Sequence, residues 1–130
     1  MIERFSDGGG SLAAAAYSRA VRRGSVVAVS GTAATGPDGR ALHLGDTELQ
    51  TRVCFERALA GLAALGGTID DVVRTRVLLH RDADPRGAVA VHKELFAGCE
   101  PANTTWFVHG FIPEGVLVEV ELDAVLEADE

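Results

Sequence analysis

The sequence predicts an α+β fold, a mainly antiparallel sheet with two helices on one face. Three observations carry this expectation. Strand-like and helix-like runs follow in the order strand, helix, strand, helix, strand, strand. Only two stretches have helical pattern and length, enough to cover one face of a sheet of four or more strands. The closing run, residues 116–126, alternates with period two, placing Val116, Val118, Val120, Leu122, Ala124 and Leu126 on one face and Leu117, Glu119, Glu121, Asp123 and Val125 on the other. With 130 residues, 47% of them apolar, the chain can build one core, and it reads as a single domain over 1–130 whose residues 1–14 form a loosely ordered N-terminal segment.

The first strand-like run is residues 24–30, a β-branched apolar stretch after Gly24 that Gly31 ends. Gly36-Pro37-Asp38-Gly39 marks a turn and loop. Thr47-x-x-Gln50 has the spacing of a capping box and opens a helix to about Leu65, with Leu49, Val53, Leu59 and Leu62 roughly on its inner face and Gly66-Gly67 as its stop. Thr68-Ile69-Asp70-Asp71 reads as a single helical turn. Residues 72–80 alternate as a strand, with Val73, Thr75, Val77 and Leu79 opposite Arg74, Arg76, Leu78 and His80. Asp84-Pro85 supplies N-cap and first position of the second helix, which buries Val91, Leu95 and Phe96 and ends at Gly98. Residues 104–109 form a strand, and 110–115 lead into the closing one.

The second face of this sheet is not cleanly polar. Val27, Val29 and Trp106 or Phe107 are expected on it in part, whereas an antiparallel sheet with one solvated face alternates more cleanly. A second copy of the chain covering that face is the economical explanation, so self-association is expected. Glu119, Glu121 and Asp123 share a face bounded by apolar residues at both ends, and a covered carboxylate needs a partner or a job. Arg74 and Arg76 become cross-strand partners if the two strands are neighbours.

Composition excludes several classes. The net charge of −7 and a pI near 5.0 argue against a nucleic-acid surface, and the only dense basic cluster is Arg19, Arg22 and Arg23. Cys54 and Cys99 form no disulfide framework and have no metal-like spacing to each other or to the four His, so reduced structural thiols are expected, with no metal and no cofactor. No apolar run approaches the ~20 residues that span a bilayer. Glu3 and Asp7 stand where a signal peptide has Lys or Arg, and the chain reads as cytoplasmic with no membrane contact. Gly8-Gly9-Gly10-Ser11 lacks phosphate-loop spacing, and Ser30-Gly31 is not part of a nucleophile elbow.

Two other side chains stand out. Tyr17, the only tyrosine, precedes the first strand-like run and either walls a small-molecule pocket or packs. His109 is either a packing residue or a general base, its reference pKa of about 6.5 suiting neutral pH.

Five segments then fall into a recognisable order: Tyr17-Ser18-Arg19-Ala20; Val29-Ser30-Gly31 after Gly24; Val73-Arg74-Thr75-Arg76-Val77; Pro101-Ala102; and Leu117-Val118-Glu119-Val120-Glu121 after Pro113. Together they resemble the Y-S-Q-A, S-G-Q, V-K-T-x-V, P-A-R-S and V-E-I-E-A landmarks of the Rid family, the reactive-intermediate imine deaminases, also called YjgF or endoribonuclease L-PSP. The resemblance covers roughly residues 15–126. It implies a chorismate-mutase-like α+β fold and a homotrimer with small-molecule sites in the clefts between subunits. It also implies that Tyr17 walls the pocket, that the backbone around Ser30 and Gly31 contacts substrate, and that Glu119 orients or activates the water that attacks an imine carbon.

One departure bears on substrate. The deaminating members carry an Arg two residues after the proline of P-A-R-S, where it clamps a substrate carboxylate. Here that residue is Asn103, and the stretch 101–113 is one residue longer, which makes Thr104 and Thr105 further candidates for the slot. Thr32 also replaces the Gln that follows Ser-Gly. The expected pocket therefore contains Tyr17, Asn103, Thr105, Phe107 and Glu119, with Glu119 catalytic and with Arg19, Arg22 and His109 as candidates for the missing charge. The expected function is a Rid-like enzyme acting on a small imine, enamine or related carbonyl metabolite. The alternative is a non-catalytic small-molecule-binding or regulatory trimer, and endoribonuclease activity ranks third on charge.

Overall fold

The alternation of the closing run is what organises the molecule. Val116, Val118, Val120, Leu122, Ala124 and Leu126 are all buried, while Glu119, Glu121 and Asp123 on the opposite face are half-buried. The computed structural model describes residues 1–8 and 12–127. Its elements are β1 (Ile2–Phe5), β2 (Ala20–Arg23), β3 (Val26–Ala33), α1 (Thr47–Ala64), a 3₁₀ turn (Ile69–Asp71), β4 (Val72–His80), α2 (Pro85–Phe96), β5 (Ala102–Val108) and β6 (Val118–Val125). They form one six-stranded sheet in the order β1-β2-β3-β6-β4-β5. Every neighbouring pair is antiparallel except β4 and β5, which are parallel because α2 carries the chain back across the sheet between them. Helix α1 packs on β3, β6 and α2, so both helices lie on one face, as an α+β fold requires.

Several local expectations are corrected. The N-terminal segment read as loosely ordered carries edge strand β1 and a buried Leu12. Strand β2 is likewise new: Gly24, at φ 61°, makes a tight two-residue turn with Ser25 and joins β2 to β3 as a hairpin. Gly31 does not end β3, which runs to Ala33 with a register shift between Val29 and Thr32. Val27 and Val29 face the helices rather than the open side. The apolar residues on the open face include Val26, Ala28, Leu78, Trp106 and Val125, by their registers on the side of Asp123 and Glu119.

The cap of α1 is Asp46, whose carboxylate accepts from the Leu49 N–H at 2.9 Å; Thr47 is already inside the helix. Gln50, expected at the end of a capping box, is instead fully buried. Its Nε2 donates to the carbonyls of Leu42, His43 and Gly115, and its Oε1 accepts from Leu117 N–H, clasping two loops to the start of β6. Because polar Thr47, Gln50 and Thr51 turn inward with Cys54, Phe55, Ala58 and Leu62, the inner face is rotated away from Leu49, which is exposed. The start of α2 follows expectation: Asp84 caps it by accepting from Arg86 N–H at 3.0 Å, and Pro85 follows. No helix among the described residues is long and apolar enough to cross a membrane.

Candidate functional site

Strand β6 carries Glu119 onto the open face, beside Ala33 of β3 on one side and Leu78 of β4 on the other. The register shift in β3 brings the Gly31 backbone against this carboxylate: a Cβ on Gly31 would stand 2.8 Å from Glu119 Oε1. Arg19 borders the same corner. Its Nη1 donates to the Gly31 carbonyl at 2.9 Å and to Thr32 Oγ1 at 3.2 Å, and its Nε pairs with Asp7 at 3.2 Å. Ser30 is held by two links to the preceding segment: its hydroxyl donates to the Ser18 carbonyl at 2.6 Å and its N–H to the Arg19 carbonyl at 2.9 Å. Burial pushes the Glu119 carboxyl above its ordinary range; the Arg19 charge pulls it down and the Glu121 charge pushes it up. Tyr17, just before this corner, is 44% exposed.

Asn103 and Thr105 lie elsewhere. They continue the helix-side rows of Thr75 and Val77 across the parallel β4–β5 pair. There they line a cavity of about 180 Å³ with Val77 and with Ala88, Val89, His92 and Lys93 of α2. Thr105 Oγ1 donates to Asn103 Oδ1 at 2.9 Å, Asn103 Nδ2 donates to Thr75 Oγ1 at 3.0 Å, and Thr75 Oγ1 lies 2.7 Å from His92 Nε2. The His92 ring is wedged between Phe55 and Phe96, and burial lowers its pKa. Phe107 is 54% exposed on the same side of β5.

A single chain therefore brings Glu119, Gly31, Ser30 and Arg19 together and separately groups Asn103 with Thr105. The first group sits on the open face and the second on the helix side of the opposite edge, with β4 between β6 and β5. Thr104 falls on the open face in register with Arg76, and His109 lies exposed just past the end of β5. Arg76 pairs with Asp123 at 3.0 Å and Glu121 at 3.5 Å, which leaves Glu119 as the acid of the three that Arg76 does not engage. Sequence reasoning did not single out Thr75, His92 or Lys93 as site residues; the signal lay in the strand–helix–strand crossover that sets α2 beside β5. Cys54 is buried, its thiol pushed up to about 12 by burial, and is chemically quiet. Among the described residues no group of three or more His, Cys, Asp or Glu could hold a metal ion.

Comparison with known proteins bears on the whole of this architecture. Residues 10–126 match the family described as Endoribonuclease L-PSP. The chain is 41% identical over 108 residues to an uncharacterized protein of Streptomyces coelicolor, covering 83% of this chain and 80% of that one. It is 31% identical over 111 residues to a RutC family protein of Pyrococcus horikoshii, covering 85% and 87%. The crystal structure of a member of the YjgF/YER057c/UK114 family from Mycobacterium tuberculosis superimposes with a TM-score of 0.86 at 34% identity, over 97% of this chain and 100% of that one.

Proposed function

The chain belongs to the endoribonuclease L-PSP family, also called YjgF or Rid, and from that premise we propose that it hydrolyses a small imine, or acts on a related enamine or carbonyl compound, in a site shared between copies of a homotrimer. The observation that carries this reading is Glu119: a half-buried carboxylate with raised proton affinity, backed by Arg19 and facing a backbone with no Cβ. Such a carboxylate is a stronger base than an exposed one, as general-base work requires. It takes a proton from water as the water oxygen bonds to the imine carbon. That proton, passed to nitrogen, gives a carbinolamine. The carboxylate then moves the carbinolamine hydroxyl proton to the nitrogen, the C–N bond breaks, and ammonia leaves as the oxygen becomes the carbonyl. Tyr17 and the Ser30–Gly31 backbone flank the reacting carbon, and Asn103, Thr105 and Phe107 of a neighbouring copy hold the rest of the ligand. The apolar residues of the open face supply the contact between copies.

Asn103 favours a second reading, a ligand-binding or regulatory trimer without turnover. Its amide is engaged by Thr75 and Thr105 and brings no charge to a substrate carboxylate. The ribonuclease in the family's name is poorly matched by a net charge of −7. Ammonia release from a panel of imines, with and without a carboxylate, separates the readings. The hydrolase reading expects release that Glu119→Gln abolishes; release that survives Glu119→Gln refutes it.

A further inference from the structure

Thr105, Asn103, Thr75 and His92 form one hydrogen-bond chain, from exposed β5 to fully buried Thr75 and the half-buried ring on α2, with a longer side contact from Asn103 Nδ2 to the Thr75 carbonyl at 3.5 Å. Hydrogens can run along such a chain in two concerted directions, because each hydroxyl has one hydrogen and the amide has one donor end and one acceptor end. With His92 Nε2 bare, Thr75 donates to His92, Asn103 Nδ2 donates to Thr75, and Thr105 donates to Asn103 Oδ1. Thr105 then offers the cavity only oxygen lone pairs. With Nε2 protonated, Thr75 accepts from His92 and its own hydrogen needs a new acceptor, which the amide oxygen supplies after a half-turn of Asn103 that gives up the Nδ2 contact to the Thr75 carbonyl. The amide nitrogen donates to Thr105, whose hydrogen is released toward the cavity. The amide as placed, nitrogen toward Thr75 and oxygen toward Thr105, belongs to the first direction.

We propose that His92 is a positioning residue that sets the direction of this chain, so that Thr105 accepts a hydrogen bond from the ligand and the cavity selects a neutral group bearing an N–H, as an unsubstituted imine does. The ring packs on Phe55 of α1, Phe96 of α2 and Thr75 of β4, and across the cavity it faces Asn103 and Thr105 of β5; none of these is charged. Among the described residues Lys93 is the one cation lining the cavity, and it disfavours an iminium over a neutral imine. The Arg52–Glu94 pair joins the same two helices and is internally balanced. In the proposed trimer the Glu119–Arg19 corner of a neighbouring copy faces the cavity mouth. The ligand's identity rests on the proposed function; the direction of the chain does not.

The test is nitrogen NMR of the full chain with labelled His and Asn side chains. Near neutral pH, His92 is expected neutral with its hydrogen on Nδ1. On acidification, the Asn103 side-chain amide signals are expected to move with the midpoint of His92. In His92→Gln, which bonds but does not titrate, they no longer follow that midpoint. Acetamide is expected to bind near Thr105 about fivefold more tightly than acetone, the same shape without an N–H, by the worth of one hydrogen bond. A hydrogen on Nε2 near neutral pH, an Asn103 amide indifferent to His92, or equal binding of acetone overturns the inference. None of these readouts requires turnover, so a Glu119→Gln variant that still released ammonia would refute the proposed function and leave the chain's direction standing.

Discussion

Glu119 Oε1 fills the space that a Cβ on Gly31 would need, 2.8 Å from its ideal position. Gly31 is therefore required by close approach rather than by backbone angle, and the two residues act as one unit: the bare backbone fixes where the carboxylate can stand.

Gly31→Ala moves the flexible end of Glu119 rather than any backbone. Stability should change by less than about 1 kcal/mol, since strands tolerate Ala as well as Gly. Ammonia release should fall at least about tenfold, because general-base catalysis depends on placement. A thermal melt and a turnover assay on the same sample check both; a variant with wild-type turnover would detach Gly31 from the site.

Glu119→Gln should stabilise the fold near neutral pH. The folded pKa of Glu119 is raised, so the folded state holds its proton more tightly than the unfolded chain does. Stability of the wild type therefore falls as pH rises from the unfolded value to the raised folded value, and the ionised group opposes folding above that window. Denaturant melts at neutral and acid pH should show the Gln variant ahead at neutral pH, with the difference shrinking below the window.

Arg19→Met removes the donor to the Gly31 carbonyl and the partner of Asp7. A loss of about 1–3 kcal/mol is expected from the carbonyl left unsatisfied. The same cation holds the Glu119 pKa down, so the acid limb of turnover should move to higher pH in the variant. An unmoved limb would show that Arg19 is purely structural.

Gln50→Leu keeps the volume and strands the carbonyls of Leu42, His43 and Gly115 and the N–H of Leu117. The expected cost is about 3 kcal/mol or more, read from urea unfolding.

The pattern in β6 was legible because period-two alternation survives in a strand paired on both sides, and every residue assigned to its inner face is buried. Strands β1 and β2 were not, because Glu3, Arg4, Arg22 and Arg23 on short edge-side strands look like a charged tail. The inner face of α1 was misphased because Gln50 and Thr51 are buried for their hydrogen bonds, which hydrophobic periodicity does not register. At the site, the resemblance drew Glu119, Ser30, Gly31 and Asn103 into one pocket. Within one chain Asn103 lies across β4 from Glu119 and on the other face, a separation that local sequence does not encode. His92 stayed hidden because its meaning depends on the parallel β4–β5 pairing, a contact set by topology rather than by local sequence.

The central claim is that Glu119 of one copy and the β5–α2 cavity of another make one site. It is tested most directly by co-refolding two inactive variants, Glu119→Gln and Thr105→Trp, the latter filling the cavity. In randomly mixed trimers about a quarter of the interfaces would pair an intact Glu119 with an intact cavity, so ammonia release should recover to about a quarter of wild type. A mixture that stays at the level of its inactive parents would contradict the account.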